Sequence, residues 1–396
     1  MEDSQYILIT VAGPDSPGIT SMLMDTITAS GDALADMGQA VTHGLLSLSI
    51  LIEVKNRDAD GNPVVLKEML FKTSQKGLNL TFQPVQALKE TTDSSEKYIL
   101  NCVSTKRISA EFLRDVSRRL ADHNINIVRI DNMEPGSFKV MEITTSIPDG
   151  LDFKSIKENL YTLSTEHSLD VAFLRDNVFR RSKRLIVFDM DSTLIQTEVI
   201  DEMADAHGVG EEVRAVTERA MNGELDFDES LELRVSKLKG LKVSQMQEIL
   251  EGLPFTKGCE EFIRTVKSLG YRVAIISGGF SFFAEALKEK LGIDYAFANE
   301  LEIVNGELTG RVEGQIVNAQ QKAFLLKVLA QQEKISLDQV VAIGDGANDL
   351  PMLATAGLGI AYHAKDIVRK TAEQHMSHGP MTTILYFLGI PSSSII

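Results

Sequence analysis

Three short apolar runs, "LIVFDM" (185–190), "RVAIIS" (272–277) and "VVAIGD" (340–345), stand among stretches whose apolar residues recur at helical spacing. Each run is nearly continuous in Val, Ile, Leu, Ala or Phe and lacks the apolar–polar alternation of a half-exposed strand. A strand that is apolar on both sides needs cover on both sides, so the runs predict a parallel sheet with helices on each face. That architecture also fixes where chemistry can occur, because ligands of such sheets bind outside the carboxyl ends of the strands. The first run ends in Asp189 and Asp191, one residue apart. The second ends in Ser277-Gly278-Gly279. The third opens "GDGANDLPM", which holds Asp345, Asn348 and Asp349. Lys322 lies in the helical stretch "NAQQKAFLLKVL". Two carboxylates at the tip of a buried strand are costly unless something offsets their charge. Between the first two runs, about 199–255 is rich in Glu, Lys, Leu and Met at helical spacing, and is expected to be a helical insertion rather than a loop.

The N-terminal half is organised differently. "YILITVAGPDSPG" from Tyr6 and "YILNCVSTKRISA" from Tyr98 open two similar segments offset by about 92 residues. In each, a short strand and a polar turn precede a helical stretch, Ile19–Ser30 and Ala110–Asp122. Alternating segments follow at 32–37 and 124–130, then β-rich ones at 45–54 and 140–147. Helix-like stretches close each copy near Leu66–Lys76 and Phe153–Glu166. The order βαββαβ, twice, predicts two small α+β sandwiches of ferredoxin-like type. A polar connection, "KETTDSSEK" (89–97), separates them, and a second polar stretch, "RDNVFRRSKR" (175–184), precedes the parallel sheet.

The chain has 396 residues, 43% hydrophobic and 24% charged, enough for two to four domains with ordinary cores. Its net charge of −16 argues against binding nucleic acid through the bulk surface, while leaving room for a local anion site. With two cysteines, neither a disulfide framework nor a thiolate metal site is expected. Cys102 is read as strand core. Cys259, after Gly258 at a helix start, is read as a packed residue rather than a reactive thiol. His375 and His378, beside Gly379-Pro380, are read as surface residues rather than metal ligands. "MEDSQYILIT" has no basic start or long apolar run, and no stretch approaches a membrane span, so the expected location is cytoplasmic.

The order D-x-D-x-T, then S-G, then K, then G-D-x-x-N-D resembles the haloacid dehalogenase superfamily over about 185–390. "FDMDSTLIQTEVIDEMA", "SLELRVSKLKGL", "ISGGFSFFAE", "DYAFANELEIVNGELTG" and "VVAIGDGANDLPML" resemble its phosphoserine phosphatase family. The two N-terminal sandwiches resemble ACT domains. These resemblances imply ACT domains at 1–90 and 95–176, and at 183–396 a Rossmann-like phosphatase domain whose helical insertion, 199–255, is a cap. They imply Mg²⁺ held by the Asp189 and Asp345 carboxylates and the Asp191 carbonyl, with Asp349 beside the metal. Asp189 would be the nucleophile and Asp191 the general acid and base. A lysine at the latter position marks ATPase relatives, so Asp191 favours a phosphatase or phosphomutase. Ser277, the Gly278 amide and Lys322 would hold the phosphoryl group. Glu198 would meet the ammonium of phosphoserine, Arg234 its carboxylate and Asn348 a further polar contact, while Met221 and Phe227 would exclude water. A homodimer is implied for the ACT pair, and an amino-acid effector, serine among the candidates, at Asp15 and Gly18 of "GPDSPG". Two alternatives stay open: phosphoryl transfer to homoserine on the same scaffold, and an amino-acid sensor with a vestigial phosphatase domain.

Overall fold

The computed structural model describes residues 5–85, 96–134 and 136–396. Most of the expected connection at 89–97 therefore lies outside the described residues. The chain divides into two compact units, Met1–Ser94 and Ser95–Ile396.

The first unit is the expected sandwich: β1 (Gln5–Pro14), α1 (Ile19–Ser30), β2 (Ala33–Thr42), β3 (Leu45–Val54), α2 (Val64–Gln75) and β4 (Asn79–Val85). Its antiparallel sheet runs β2-β3-β1-β4. Ile7, Ile9 and Val11 of β1 alternate inward with Leu46, Leu48 and Ile50 of β3 and meet Leu23 and Ile27 of α1. Gly18, at φ 92°, turns the chain into α1.

The second unit begins with the repeat of that sandwich: β5 (Lys97–Val103), α3 (Ala110–Asp122), β6 (Asn126–Asn132), β7 (Val140–Ser146), α4 (Phe153–His167) and β8 (Asp170–Arg175), in the order β6-β7-β5-β8. The repeat extends to register, since Tyr6 opposes Glu53 and Tyr98 opposes Thr145. Here Ser109 caps the first helix, its side chain accepting from the Phe112 N–H, where the first copy uses Gly18 and no side-chain cap. Cys102 is in the core of this sandwich.

The remaining elements are β9 (Leu185–Phe188); helices α5 (Val199–His207), α6 (Gly210–Met221), α7 (Phe227–Lys237), α8 (Val243–Gly252) and α9 (Cys259–Ser268); β10 (Arg272–Phe280), α10 (Ser281–Leu291), β11 (Tyr295–Val304), β12 (Glu307–Glu313), α11 (Ala319–Gln332), β13 (Val340–Gly344), α12 (Leu350–Thr355), β14 (Leu358–Tyr362), α13 (Asp366–Thr371), β15 (Gln374–Met376) and α14 (Ile384–Phe387). The sheet order is β12-β11-β10-β9-β13-β14-β15, parallel except for β12. Four strands, β11, β12, β14 and β15, therefore join the three apolar runs. β9 is central, and the chain leaves it first for β10 on one side and later for β13 on the other, which opens a crevice at its carboxyl end. Its residues divide between both faces: Ile186 and Phe188 pack with Phe262 of α9, Leu185 and Val187 with Leu326 and Leu329 of α11. The expected insertion is four helices, α5–α8. Its two stems are tied by an Ile195–Phe255 bridge and by the Thr256 N–H donating to the Leu194 carbonyl at 2.9 Å.

The two histidines depart from expectation, and two cations of the polar stretch before β9 are drawn inside. Arg180 and Lys183 are buried, Arg180 pairing with Glu142 of β7. His375 and His378 are not free surface residues: they lie where the second sandwich meets the seven-stranded sheet. His375 is buried against Tyr161 and hydrogen-bonded to Ser164. The Asp170 carboxylate accepts from the Ser377 and His378 amides and from His378 Nδ1. The Gln374 side chain donates to the Phe173 carbonyl and accepts from its N–H, so it pairs with β8 as a backbone would. Among the described residues no helix is long and apolar enough to cross a membrane.

Candidate active site

β9 ends at Phe188, and the Asp189 N–H still donates to the Ile343 carbonyl of β13 at 2.9 Å. That bond fixes the first carboxylate at the sheet's centre. The chain then wraps tightly: the amides of Thr193, Leu194 and Ile195 all turn back to the Met190 carbonyl, and Ser192 takes a left-handed φ of 56°. This turn brings Asp191 back under the cap. Its Oδ1 accepts from the Val199 N–H at 3.0 Å at the start of α5, and among the described residues Oδ2 has no donor.

Lys322 comes from the first turn of α11 and is fully buried. Its ammonium donates to Asp189 Oδ1 at 2.7 Å and Asp349 Oδ1 at 2.6 Å. Asp349 has its other oxygen on the Gly346 N–H at 2.9 Å. Asp345 takes the Thr193 hydroxyl on Oδ1 at 3.0 Å. The carboxylates of Asp189, Asp345 and Asp349 come within 4.8 Å of one another. Both Asp349 oxygens are thus committed, whereas Asp189 and Asp345 each keep one oxygen with no donor among the described residues. A hard divalent cation such as Mg²⁺ takes oxygen ligands and keeps waters. The residues fit it, with Asp189 and Asp345 able to ligate directly and Asp349 held as a neighbour.

Crowding buried negative charge makes these carboxyls harder to ionise. Burial, then the Asp349 charge, pushes the Asp189 carboxyl up to about 8. Burial, then the Asp349 charge, raises Asp345 to about 6. Burial, then the charge of Glu198, holds Asp191 well above the ordinary carboxyl range, in the direction a general acid needs. Burial alone would weaken the Lys322 ammonium, but Asp189 and Asp349 outweigh it and keep it charged.

β10 supplies the other wall. Ser277 is fully buried, and its Oγ accepts from the Gly279 N–H at 2.9 Å, so it shapes the turn. A Cβ on Gly279 would stand 2.5 Å from Asp191 Oδ2, and one on Gly278 would stand 3.0 Å from the Phe227 ring. Glycine is needed at 279 for the backbone to approach the carboxylate this closely.

The cavity over these groups measures about 110 Å³. Asp189, Asp191, Gly278, Asp345 and Asn348 line its floor, and Glu198, Leu231 and Arg234 its cap side. Glu198 accepts from Ser192 Oγ at 2.8 Å. Arg234 donates from Nε to the Ser230 carbonyl and has no carboxylate within 4.0 Å among the described residues. Burial weakens its guanidinium, against the opposing pull of Asp201, Glu198 and Asp191. Ser277 and Lys322 stand behind the floor rather than on the cavity surface. Phe227 abuts Gly278 from the start of α7. Met221 is a correction: it is 73% exposed and away from the cavity. It falls five residues past Val216 of the buried stripe, roughly 140° round α6, and so faces solvent.

Three supporting residues carried no assigned role in the sequence reading. Buried Asn299 donates to the Gly278 carbonyl and accepts from the Val317 N–H, both at 2.8 Å. Thr193, noted within the motif, orients Asp345. Asn318 caps α11 and donates to Asp228 of the cap at 3.2 Å, linking the cap to the helix that carries Lys322. Asn318 precedes a helical run, a legible capping signal; nothing around Asn299 gives one.

The haloacid dehalogenase-like hydrolase family matches residues 183–357, and the ACT domain family matches 5–83. A phosphoserine phosphatase of Streptomyces coelicolor is 37% identical over 99% of this chain and 94% of its own. One of Mycobacterium tuberculosis is 38% identical over 98% and 94%. The chain belongs to the phosphoserine phosphatase family. The enzyme is a haloacid dehalogenase-type hydrolase with an ACT domain at its N-terminus. A crystal structure of a probable phosphoserine phosphatase from Vibrio cholerae is similar to it with a TM-score of 0.60 and 38% identity, over 76% of this chain and 89% of that one.

Proposed function

We propose that the enzyme hydrolyses O-phospho-L-serine to L-serine and phosphate through an aspartyl-phosphate on Asp189. The observation that carries the substrate assignment is the pair Glu198 and Arg234: opposite charges facing one small cavity without an ion pair between them. A zwitterionic amino acid supplies a partner to each, its ammonium to Glu198 and its carboxylate to the Arg234 fork. Its phosphate then falls toward Asp189, the Gly278 amide and Lys322.

Mg²⁺ held by Asp189, Asp345 and the Asp191 carbonyl would supply charge neutralisation at the phosphoryl oxygens and between the carboxylates. The chain's own residues do the rest. The Asp189 oxygen not held by Lys322 attacks phosphorus as the bond to the serine oxygen breaks. Asp191 gives that oxygen its proton. Asp191, now a base, takes a proton from water, which attacks the aspartyl-phosphate; the Asp189–phosphorus bond breaks and phosphate leaves. Lys322 holds Asp189 in line and stabilises the negative charge in transfer. Cap helices α5–α8, with Phe227 against Gly278, keep bulk water from the intermediate. Asn348 contributes a further polar contact from the floor.

The same reading extends to the N-terminal half. The second sandwich, 95–176, is a second ACT domain in addition to the one at 1–90, on the strength of its matching element order and register. The two pair in a homodimer through sheet edges; β2 is an edge strand with Leu34 and Val41 exposed, a surface that favours pairing. An amino acid such as serine binds at the "GPDSPG" turn, where Asp15 and Gly18 are exposed and α1 has no side-chain cap. A biosynthetic role implies a cytoplasmic location.

The test is phosphate release from phosphoserine by the full chain with Mg²⁺ and with chelator. Turnover that requires the metal is expected. Its absence, with phosphate release from simpler esters intact, would remove phosphoserine as the substrate.

A further inference from the structure

A cavity of about 360 Å³ opens at the amino ends of the parallel strands, between the second sandwich and the catalytic sheet. Lys183 lies just before β9, Asp338 just before β13, and Gly357 just before β14, and all three line it. The candidate active site occupies the other ends of the same strands. Six residues of mostly extended chain separate Lys183 from Asp189, roughly 20 Å. The cavity is therefore not an extension of the catalytic crevice.

Its cations are unequal. Arg180 is spent on Glu142, Arg175 on Glu96, and Lys157 stands 4.0 Å from Glu373. Lys183 is only 7% exposed, yet its ammonium has no carboxylate within 4.0 Å among the described residues; its hydrogen-bond acceptor is the Asp338 carbonyl at 2.6 Å. Lysines are almost never buried to this degree without a paired charge. An ammonium also carries three donors, and one carbonyl satisfies one of them. Burial lowers this lysine to about 8, against the opposing pull of the nearby Asp338 charge. Part of the lining is aromatic: Tyr98 packs against Phe153 at 5.3 Å and Phe173 at 4.8 Å between ring centroids, and Phe179 of the linker joins it. A concave space of this volume, apolar on one side with a few placed polar groups on the other, has the make-up of a small-molecule site. Asp338 and Glu373 also line the cavity, but neither carboxylate reaches Lys183 within 4.0 Å, so a direct anionic partner for this ammonium is the element still missing.

We propose that this cavity is a second ligand site, taking a small organic anion whose charged group pairs with Lys183 while a flat apolar body lies along Tyr98 and Phe173. A carboxylate and a phosphate-type group share this chemistry. Because the walls come from β5, α4 and β8 on one side and from the strand starts of the catalytic sheet on the other, the ligand bridges the two modules. The inference does not depend on the catalytic assignment.

Calorimetric titration of the full chain tests it, with phenylacetate and indole-3-acetate as carboxylate probes and phenylphosphonate as the phosphate-type probe. At least one series is expected to bind saturably with Kd of about 1 mM or tighter. Lys183→Met should weaken that binding at least tenfold and Lys183→Arg should retain it. Phosphoserine turnover in Lys183→Met should match wild type, since methionine fills the space without a charge to bury. Binding confined to the carboxylates or to the phosphonate supports the site and identifies the group it prefers. Phe179→Ala, on the half-buried linker, gives a second reading through loss of affinity for the aromatic body. No binding by either series at about 10 mM, or equal affinity in wild type and both cavity variants, overturns the proposal.

Discussion

Gly279→Ala adds one methyl group where the site has least room. Gly279 is not in the left-handed region, so alanine meets no backbone penalty and only contact matters. Its Cβ would stand 2.5 Å from Asp191 Oδ2, 2.8 Å from Met190 Cε and 3.1 Å from Ser277 Oγ, where ordinary contact begins at 3.4 Å. The nearest atom is the acid/base oxygen, which must retreat by about 0.9 Å to restore ordinary contact. The other oxygen of Asp191 is tethered to the Val199 N–H, so the carboxylate pivots about that bond and turns its free oxygen off the reaction line. A displacement near 1 Å costs about 100-fold in rate, and the overpacking costs about 1–3 kcal/mol of stability. Steady-state phosphate release should show kcat down about 100-fold, with KM nearly unchanged because Glu198 and Arg234 are untouched. Rapid-quench measurement should find formation and hydrolysis of the phosphoenzyme both slowed, since Asp191 serves both steps. Gly278→Ala is the control: its methyl meets the end of the Phe227 ring at 3.0 Å, which can yield, and the loss should be much smaller. A Gly279→Ala enzyme within about threefold of wild-type kcat, or equal losses in the two variants, would refute the assignment of Asp191 and the packing argument together.

Asp189→Asn should lower turnover about 10⁴-fold or more and leave no phosphoenzyme after denaturing quench; a trapped phosphoenzyme would mean another residue attacks. Arg234→Ala should raise KM for phosphoserine far more than for a phosphate ester that lacks a carboxylate, and parallel losses would rule out the clamp. Asp170→Asn probes the join between the second sandwich and the catalytic sheet. The Asp170 hydrogen bond raises His378 above its ordinary 6.5, so the pair stabilises the fold fully below 6.5 and loses that contribution as pH rises through the raised value. Urea unfolding should therefore show a larger penalty for Asp170→Asn just below pH 6.5 than at about pH 9; a larger penalty at the high pH would reverse the sign of the linkage.

The catalytic half was legible to the extent that its pattern is local. Apolar runs without alternation indicate covered strands, and the polar residues that end them fall at the carboxyl end by geometry alone. The repeat was legible because the two copies share an element order at a constant offset; their common strand register came only from the structure. β14 and β15, of five and three residues, are too short to carry a periodic signal, and β11 and β12 form an edge hairpin rather than a buried run. Met221 was misjudged because sequence spacing does not say which side of a cap helix faces the cavity. His375 and His378 looked like surface groups because polarity in sequence normally means exposure; His375 is buried and His378 half-buried against a second module whose docking no local pattern announces.

The amino-acid sequence by itself determined which residues could do chemistry and that Asp189, Asp191, Asp345 and Asp349 would gather at strand ends, since strand direction and sheet order leave them nowhere else to go. Only the tertiary structure decided how they divide the work. Lys322 arrives from a helix 133 residues away to occupy one oxygen each of Asp189 and Asp349, and the Gly346 amide occupies the other oxygen of Asp349. What remains free for a cation and for attack is set by those bonds, because a carboxylate has few lone pairs and the fold chooses which of them are already taken.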